Sequence, residues 1–338
     1  MKICLVTEFY EPAYGGQYTS VKWVYDLCKI YKINCEIIHK KKKNYLNKSL
    51  LIKIIKNSDI IHIFGGWTPF YIRINFLALK FKKKIIIHPL GFYESYSLGQ
   101  KSIKKFIALK FYQINFLKKA DYIHCASLNE MNSIKNLNEN LKTVVLPFGV
   151  NNNFINKKIN YKIKKRALFF SRFNKKKGLN ILIKAWDEVN NKDWTLDIVG
   201  TGNETKYLNL VHKKNITNIN FLKPIFSKTK KKKLFNNYDF MVLPTINENF
   251  GIVILEALAR GLPVLTTTGT PWIMIERQNA GWIINYSLHE LKLSLHQIFY
   301  LAKKDFKIKK KNSIKVAKIF ESKKIFKSYL TIYKKLIK

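Results

Sequence analysis

Twelve short apolar runs, separated by amphipathic stretches, restrict this chain to a small set of folds. The first six are KICLVTEF (2–9), NCEIIHK (34–40), IIHIFG (60–65), KIIIHPL (84–90), DYIHCAS (121–127) and TVVLPFG (143–149). Nearly continuous apolar strands that alternate with amphipathic helices indicate a parallel sheet covered on both faces, so the first half reads as a doubly wound α/β domain. A polar, lysine-rich stretch, NNNFINKKINYKIKK (151–165), follows without strong periodicity and reads as an interdomain linker. The alternation then resumes with RALFFSR (166–172), TLDIVGTG (195–202), INFLKP (219–224), FMVLPT (240–245), PVLTTT (263–268) and GWIIN (281–285), which predicts a second parallel sheet. The chain length of 338 residues suits two cores of ordinary size. The expected organisation is a first domain over 1–150, the linker, a second domain over 166–315 and a closing helix over 316–338. From Lys303 onward the sequence carries two helical patterns, and FESKKIFKSYLTIYKKLIK (320–338) spaces its aromatic and aliphatic residues at three and four, which predicts an apolar stripe against a domain surface.

Open α/β sheets bind ligands at the carboxyl ends of their strands, so chemistry is expected on the loops that follow strands. RALFFSR ends in Arg172, and the loop runs on to Lys177 and Gly178 at the start of a helix. Two cations beside free backbone N–H groups suit a diphosphate, and Arg172 is the more informative because arginine is scarce in this chain. Gly200 and Gly202 directly follow a strand, where they admit either a closely approaching ligand or a plain tight turn. EPAYGGQYTS (11–20) sets Gly15 and Gly16 between a strand and a helix, yet has neither the G-x-G-x-x-G spacing of a dinucleotide site nor a P-loop. The strongest segment is LPTINENFGIVILEALARGLPVLTT (243–267): a strand stops at Pro244, a polar loop carries Glu248, Gly251 opens a helix, and Glu256 lies about two turns in. That helix start is a seat for phosphate. Glu248 also reads as a cap or an exposed residue. Glu256 is flanked by apolar residues on all sides, so its carboxylate is expected to be partly buried and to need hydrogen-bond donors, which sugar or ribose hydroxyls would supply.

Composition narrows the partners. The formal charge of +41 arises from 62 basic and 21 acidic residues, and only Arg73, Arg166, Arg172, Arg260 and Arg277 are arginine. Nucleic-acid readers use arginine forks with interleaved aromatics, a pattern missing here, so a basic nucleic-acid-binding protein is the alternative and no nucleic-acid partner is expected. The lysine excess fits attraction to an anionic membrane surface and equally fits A+T-rich codon drift. No apolar run reaches the roughly 18 to 20 residues of a membrane span, and the N-terminus reads as a strand, which predicts a cytoplasmic protein with peripheral contact at the inner face of the cytoplasmic membrane. Cys4, Cys28, Cys35 and Cys125 lack C-x-x-C spacing and read as reduced thiols, and the seven histidines form no metal-ligand motif, so no metal is expected.

Taken together, E-x7-E from Glu248 to Glu256 with its N-F-G and L-E-A-L-A-x-G-x-P-V surroundings, and S-R-x-x-x-x-K-G from Ser171 to Gly178, resemble the retaining nucleotide-sugar glycosyltransferases of family 4. The likeness extends to Gly15 and Gly16, to GFYESYSLGQKSIKKF (91–106), and to KKADYIHCAS (118–127) and TTTGTPW (266–272), the last two similar to members that assemble bacterial lipopolysaccharide or capsule chains. The resemblance implies the α/β GT-B fold, two Rossmann-like domains facing across a cleft, with a C-terminal helix that crosses back to the N-terminal, acceptor-side domain. It implies that Arg172 and Lys177 neutralise the diphosphate of a uridine, guanosine or adenosine diphosphate sugar, that Glu248 holds the sugar hydroxyls, and that Glu256 holds the ribose. Backbone N–H groups from Asn249 through Phe250 and Gly251 to Ile252 would lie near sugar and phosphate, Gly15 and Gly16 near phosphate and acceptor, and Gly200 and Gly202 on the donor side. The acceptor is a saccharide or a lipid-linked saccharide, the donor is a substrate, and no cofactor or metal is needed. A phosphorylase or synthase of the same fold is a rival within the class. Two positions depart from the family pattern. The residue before Gly91, where a polar group near the sugar is usual, is Leu90 with His88 two residues earlier, and the glycine usually found before the phosphate-binding arginine is Ser171.

Overall fold

A computed structural model describes residues 1–41, 47–100 and 102–338. Lys101, inside the phrase 91–106, lies outside the described residues. Each of the twelve apolar runs contains a strand, and the strands form two six-stranded sheets whose pairings are all parallel. The chain divides into one unit of residues 1–149 with 322–338 and a second of residues 150–321.

The first unit is built on β1 (Lys2–Thr7), β2 (Asn34–Ile38), β3 (Ile60–Phe64), β4 (Lys84–His88), β5 (Tyr122–Cys125) and β6 (Thr143–Val145) in the order β2-β1-β3-β4-β5-β6. Strands β3 and β4 are buried almost throughout, because helices cover both faces of a parallel sheet. The helix Ser322–Ile337 belongs to this unit. Its stripe of Phe326, Tyr329, Tyr333 and Leu336 is buried, and Trp23 packs against Phe326, Tyr329 and Phe148 while donating Nε1–H to Ser322 Oγ at 2.9 Å.

Three histidines lie inside this unit, one on each of three adjacent strands. His62, His88 and His124 are completely buried, and they form a hydrogen-bonded chain whose partners fix the tautomers. His124 Nε2 lies 2.7 Å from the Leu146 carbonyl and so carries the proton, which leaves Nδ1 to accept from His62 Nε2 at 3.1 Å. His62 Nδ1 in turn accepts from the Tyr333 hydroxyl at 2.9 Å, and His88 Nδ1 donates to the His124 carbonyl at 2.8 Å. Every ring is thus used as a neutral imidazole.

The second unit contains β7 (Arg166–Phe170), β8 (Thr195–Val199), β9 (Ile219–Leu222), β10 (Phe240–Leu243), β11 (Val264–Thr267) and β12 (Gly281–Ile284) in the order β12-β11-β10-β7-β8-β9. Counted along the unit this is 6-5-4-1-2-3, the doubly wound dinucleotide-fold order. The chain leaves β7 toward one edge and returns at β10 toward the other, which creates a crevice at the carboxyl ends of these two neighbours. The stretch 151–165 differs from a free linker. Asn156 donates its N–H to the Ala259 carbonyl at 2.7 Å, and the Arg260 guanidinium donates to the Phe154 carbonyl at 2.8 Å, so the stretch packs on the second unit. The unit also extends to Glu321 rather than ending at 315, because the helix Lys303–Ile319 buries Phe306, Ile314 and Val316 in it. The packing of 151–165 left no sequence signal because irregular backbone pairing has no period, and the end of the second unit was blurred because lysines dilute the apolar stripe of the helix Lys303–Ile319.

Candidate functional site

Both strong motifs of the second half converge on the crevice between β7 and β10. The loop after β7 runs through a 3₁₀ turn at Lys175–Lys177 to Gly178, and the loop after β10 carries Pro244 to Gly251. They are stitched together by the Ile246 N–H and the Thr245 hydroxyl, which donate to the Lys176 carbonyl at 2.8 and 3.0 Å. Gly178 makes this approach possible. Its φ is +71°, and a Cβ there would lie 1.8 Å from the Pro244 carbonyl oxygen. Gly178→Ala is therefore expected to destabilise the second unit by about 2–4 kcal/mol, from clash and left-handed strain together, read as a lowered urea midpoint.

At this junction Lys177 Nζ makes a close ion pair with Glu248, and both side chains are largely enclosed. Arg172 lies on the same loop, exposed and with no acidic partner among the described residues. The Glu248 N–H donates to the Gly269 carbonyl at 2.8 Å, and a Cβ at Gly269 would lie 2.1 Å from the Ile246 carbonyl oxygen. Trp272 Nε1 donates to the Phe250 carbonyl, so the TTTGTPW segment braces the acidic loop from behind. Gly251, at φ +76°, turns the chain into the helix Ile252–Ala259, whose N-terminus has no side-chain cap. Asn249 and Phe250 occupy the turn just before it, and Ile252 is its first residue. The result is a helix start with an uncapped positive dipole end, on the same loop junction as the exposed Arg172 and the Lys177–Glu248 pair.

Glu256 is partly buried, as its apolar flanks require, but a protein group already pairs with it. Lys231 Nζ lies 2.7 and 3.0 Å from its two carboxylate oxygens and stands 5.4 Å from the centre of the Phe170 ring. Sequence reasoning missed Lys231 because it sits in the run KTKKKK, where nothing distinguishes one lysine from its neighbours. A carboxylate offers about four acceptor directions, so the pair leaves capacity for hydroxyl donors.

Gly200 and Gly202 serve packing between loops. A Cβ at Gly200 would meet the Ser171 carbonyl oxygen at 2.0 Å, and Gly202, at φ +122°, lies against Phe173. Their absent side chains let the loop after β8 support the Arg172 loop, so they act on the site through that loop.

In the first unit the corresponding crevice lies between β1 and β3, and it holds a pocket of about 300 Å³ lined by Glu8, Gln17, Trp67, Thr68, Tyr71 and Lys105 among others. Glu8 Oε1 pairs with Lys40 Nζ at 3.1 Å and its Oε2 accepts from the Thr68 hydroxyl at 3.2 Å. The Tyr71 hydroxyl accepts from the Glu8 N–H and Gln17 Nε2 while donating to the Phe64 carbonyl, and burial pushes its phenol upward, so it stays a neutral hub. Gly15, at φ +59°, is the N-cap of the helix Gly16–Ile30, and Gly16 faces open space next to Gln17. Glu8, Trp67 and Tyr71 escaped sequence reasoning, although Glu8 is a rare acid at a strand end, the very position where ligands bind. His88 does not face an open sugar site. It is enclosed, burial lowers its imidazole to about 4, and its Nε2 has no partner among the described residues. Gly91, at φ +74°, donates its N–H to Glu130 Oε1 at 2.7 Å, and Glu130 is itself locked by the Ala126 N–H at 2.7 Å. Both residues thus shape the loop after β4 from beneath. Among the described residues no cluster of three or more His, Cys, Asp or Glu side chains could hold a metal ion, and no helix is long and apolar enough to cross a membrane.

Comparison with known proteins places this geometry in context. Residues 150–320 match the family model of glycosyl transferases group 1. An uncharacterized glycosyltransferase of Methanocaldococcus jannaschii is 32% identical over 196 residues, which cover 56% of this chain and 51% of that protein. The chain spans between 27% and 51% of the length of the curated relatives it matches. Among solved structures, HepE of Anabaena in complex with UDP and glucose superposes with a TM-score of 0.78 at 17% identity, over 99% of this chain and all of that one. WaaG, a glycosyltransferase involved in lipopolysaccharide biosynthesis, gives a TM-score of 0.71 at 16% identity, over 94% and 95% of the two chains. Similarities at such low identity speak to the fold, which is that of GT-B proteins.

Proposed function

The chain belongs to the group 1 glycosyl transferases, and from that premise we propose that it is a retaining enzyme moving a sugar from a nucleoside diphosphate sugar to a saccharide or lipid-linked acceptor in cell-surface polysaccharide assembly. The observation that carries the reading is the junction between β7 and β10, where Lys177, Glu248, Arg172 and an uncapped helix N-terminus meet. A diphosphate brings negative charge, and this crevice supplies cations and the uncapped N-terminus of the helix Ile252–Ala259 for it. Arg172 is the group available to an incoming phosphate, and Lys177 would be shared between Glu248 and the phosphate. Glu248 then turns acceptor capacity to the sugar hydroxyls, and Glu256, steadied by Lys231, takes the ribose hydroxyls. In the transfer, the bond from the anomeric carbon to the diphosphate oxygen breaks and a bond to the acceptor oxygen forms on the same face. The acceptor proton passes to the departing phosphate oxygen, whose growing charge Arg172 and Lys177 stabilise. The pocket of the first unit, with the face of Trp67 and the Glu8 carboxylate, suits an acceptor saccharide, which presents apolar C–H faces and donor hydroxyls.

What supports the cell-surface assignment is the pair of phrases KKADYIHCAS and TTTGTPW, together with the lipopolysaccharide role of WaaG. The reading is tested by incubating the protein with uridine, guanosine and adenosine diphosphate sugars, with a panel of saccharides and with orthophosphate. Release of nucleoside diphosphate, with a glycoside of retained configuration, is the expected outcome. Sugar 1-phosphate formed from a saccharide and orthophosphate would instead identify a phosphorylase.

A further inference from the structure

Lys231 and Glu256 pair at the edge of the crevice in the second unit, not on an open surface. The helix Lys228–Phe235 carries Lys231, and Glu256 lies four positions past Ile252, the first residue of the helix whose N-terminus opens beside the Lys177–Glu248 junction. The ammonium group meets both carboxylate oxygens, at 2.7 and 3.0 Å, and the two side chains are only 14% and 12% exposed. Phe170, whose ring centre lies 5.4 Å from Lys231 Nζ, is the last residue of β7 and stands two positions before Arg172. The pair is thus seated over the carboxyl end of the strand that feeds the Arg172 loop.

A lysine ammonium has three N–H donors, and two of them are spent on Glu256. The third has no hydrogen-bond partner among the described residues. A carboxylate has about four acceptor directions, and Lys231 takes two of them. One charged donor and two charged acceptor directions therefore remain side by side in a largely enclosed place. A vicinal diol matches this set, because its two O–H groups can donate to Glu256 while one of its oxygens accepts from Lys231. A nucleotide that lacks either hydroxyl leaves a charged group without its partner, which costs more than the loss of a hydrogen bond between neutral, solvated groups. We propose that Lys231 is a specificity-determining residue of the donor site, which together with Glu256 selects a ribose that carries both hydroxyls. The inference rests on the transferase reading above, which gives the ribose to Glu256, and it adds a second group that touches the sugar and a demand for the intact diol.

The test measures the affinity of the full chain for uridine, guanosine and adenosine diphosphates and for the 2′-deoxy and 3′-deoxy forms of each. Wild-type protein is expected to bind the ribonucleotide it prefers about tenfold or more tightly than either deoxy form. Lys231→Met keeps the length of the side chain and removes its charge and donors, and Lys231→Leu is a second neutral variant should the first fold poorly. In either variant the preference for ribose should shrink to about threefold or less, while Lys231→Arg, which keeps a cation and its donors, should retain most of it. If Lys231 only balances the charge of Glu256, ribose and deoxyribose forms weaken by the same factor and the preference survives in the neutral variants. That result would overturn the proposal, as would a wild type that binds ribose and deoxyribose forms equally. Equal binding removes the role of Lys231 and leaves the donor site standing, whereas absence of binding to every nucleoside diphosphate removes the transferase reading and the inference with it.

Discussion

Replacing Lys177 with alanine is expected to lower kcat by about 10²- to 10³-fold while leaving the protein folded, the scale seen when one preorganised stabiliser of a developing anion is removed. Lys177 is held on the short turn before Gly178, at the junction of the two loops, and its ammonium group is mostly enclosed against Glu248. Within such a site a cation acts at lower effective dielectric than in water, and it needs no reorganisation as the leaving group gains charge. Removal has a second consequence, because Glu248 loses its counter-ion. The two effects separate in the double variant. If Lys177 serves only to neutralise Glu248, the double variant Lys177→Ala/Glu248→Gln turns over as fast as Glu248→Gln alone. If it stabilises the leaving group, the double variant stays slow. A kcat within about threefold of wild type in Lys177→Ala would remove the assignment.

Acid is expected to destabilise the first unit well before its carboxylates titrate. Burial holds His62, His88 and His124 in the neutral form, driving His62 and His124 well below the ordinary histidine range and His88 to about 4. For His88 the hydrogen bond to the His124 carbonyl opposes burial without cancelling it. In the unfolded chain each ring titrates near its ordinary value of about 6.5. Between about 4 and about 6.5 the unfolded state therefore binds more protons than the folded one, so stability is complete above the upper value and falls as pH drops through this window. For His88 alone the loss at about pH 5 is roughly 2 kcal/mol, and the other two histidines act in the same direction. Protonation would also break the chain from Tyr333 through His62 to His124, in which each accepting ring nitrogen is already committed. Urea unfolding at pH 7 and pH 5 reads this directly through a lowered midpoint. Equal midpoints would mean that the rings take up protons without opening the core.

The positions and parallel pairing of the strands were legible because apolar runs buried on both faces of a parallel sheet leave a period-free signature that polar loops interrupt. The charge-bearing loops were legible for a related reason. Arginine and acids are rare in this chain, so Arg172, Glu248 and Glu256 stand out against lysine. What escaped were contacts between distant segments. Lys231 meets Glu256 only through the packing of two helices, and Gly200 is required by a carbonyl on a different loop. His88 lies two residues from a loop position where a polar group is usual, and the sequence does not reveal that the end of a central strand encloses it. Glu8 stands at a strand end, but a lone acid without a spaced partner carries no motif in the sequence.

On the proposed function a nucleoside diphosphate binds at the crevice between β7 and β10. Titration calorimetry with uridine, guanosine and adenosine diphosphates, on the wild type and on Arg172→Ala and Glu256→Ala, tests it most directly. Saturable binding of one of the three to wild type is expected, weakened about tenfold or more in each variant, because each substitution removes a charged hydrogen-bonding group proposed to hold the ligand. Binding of equal strength in all three proteins would place the nucleotide elsewhere than this crevice.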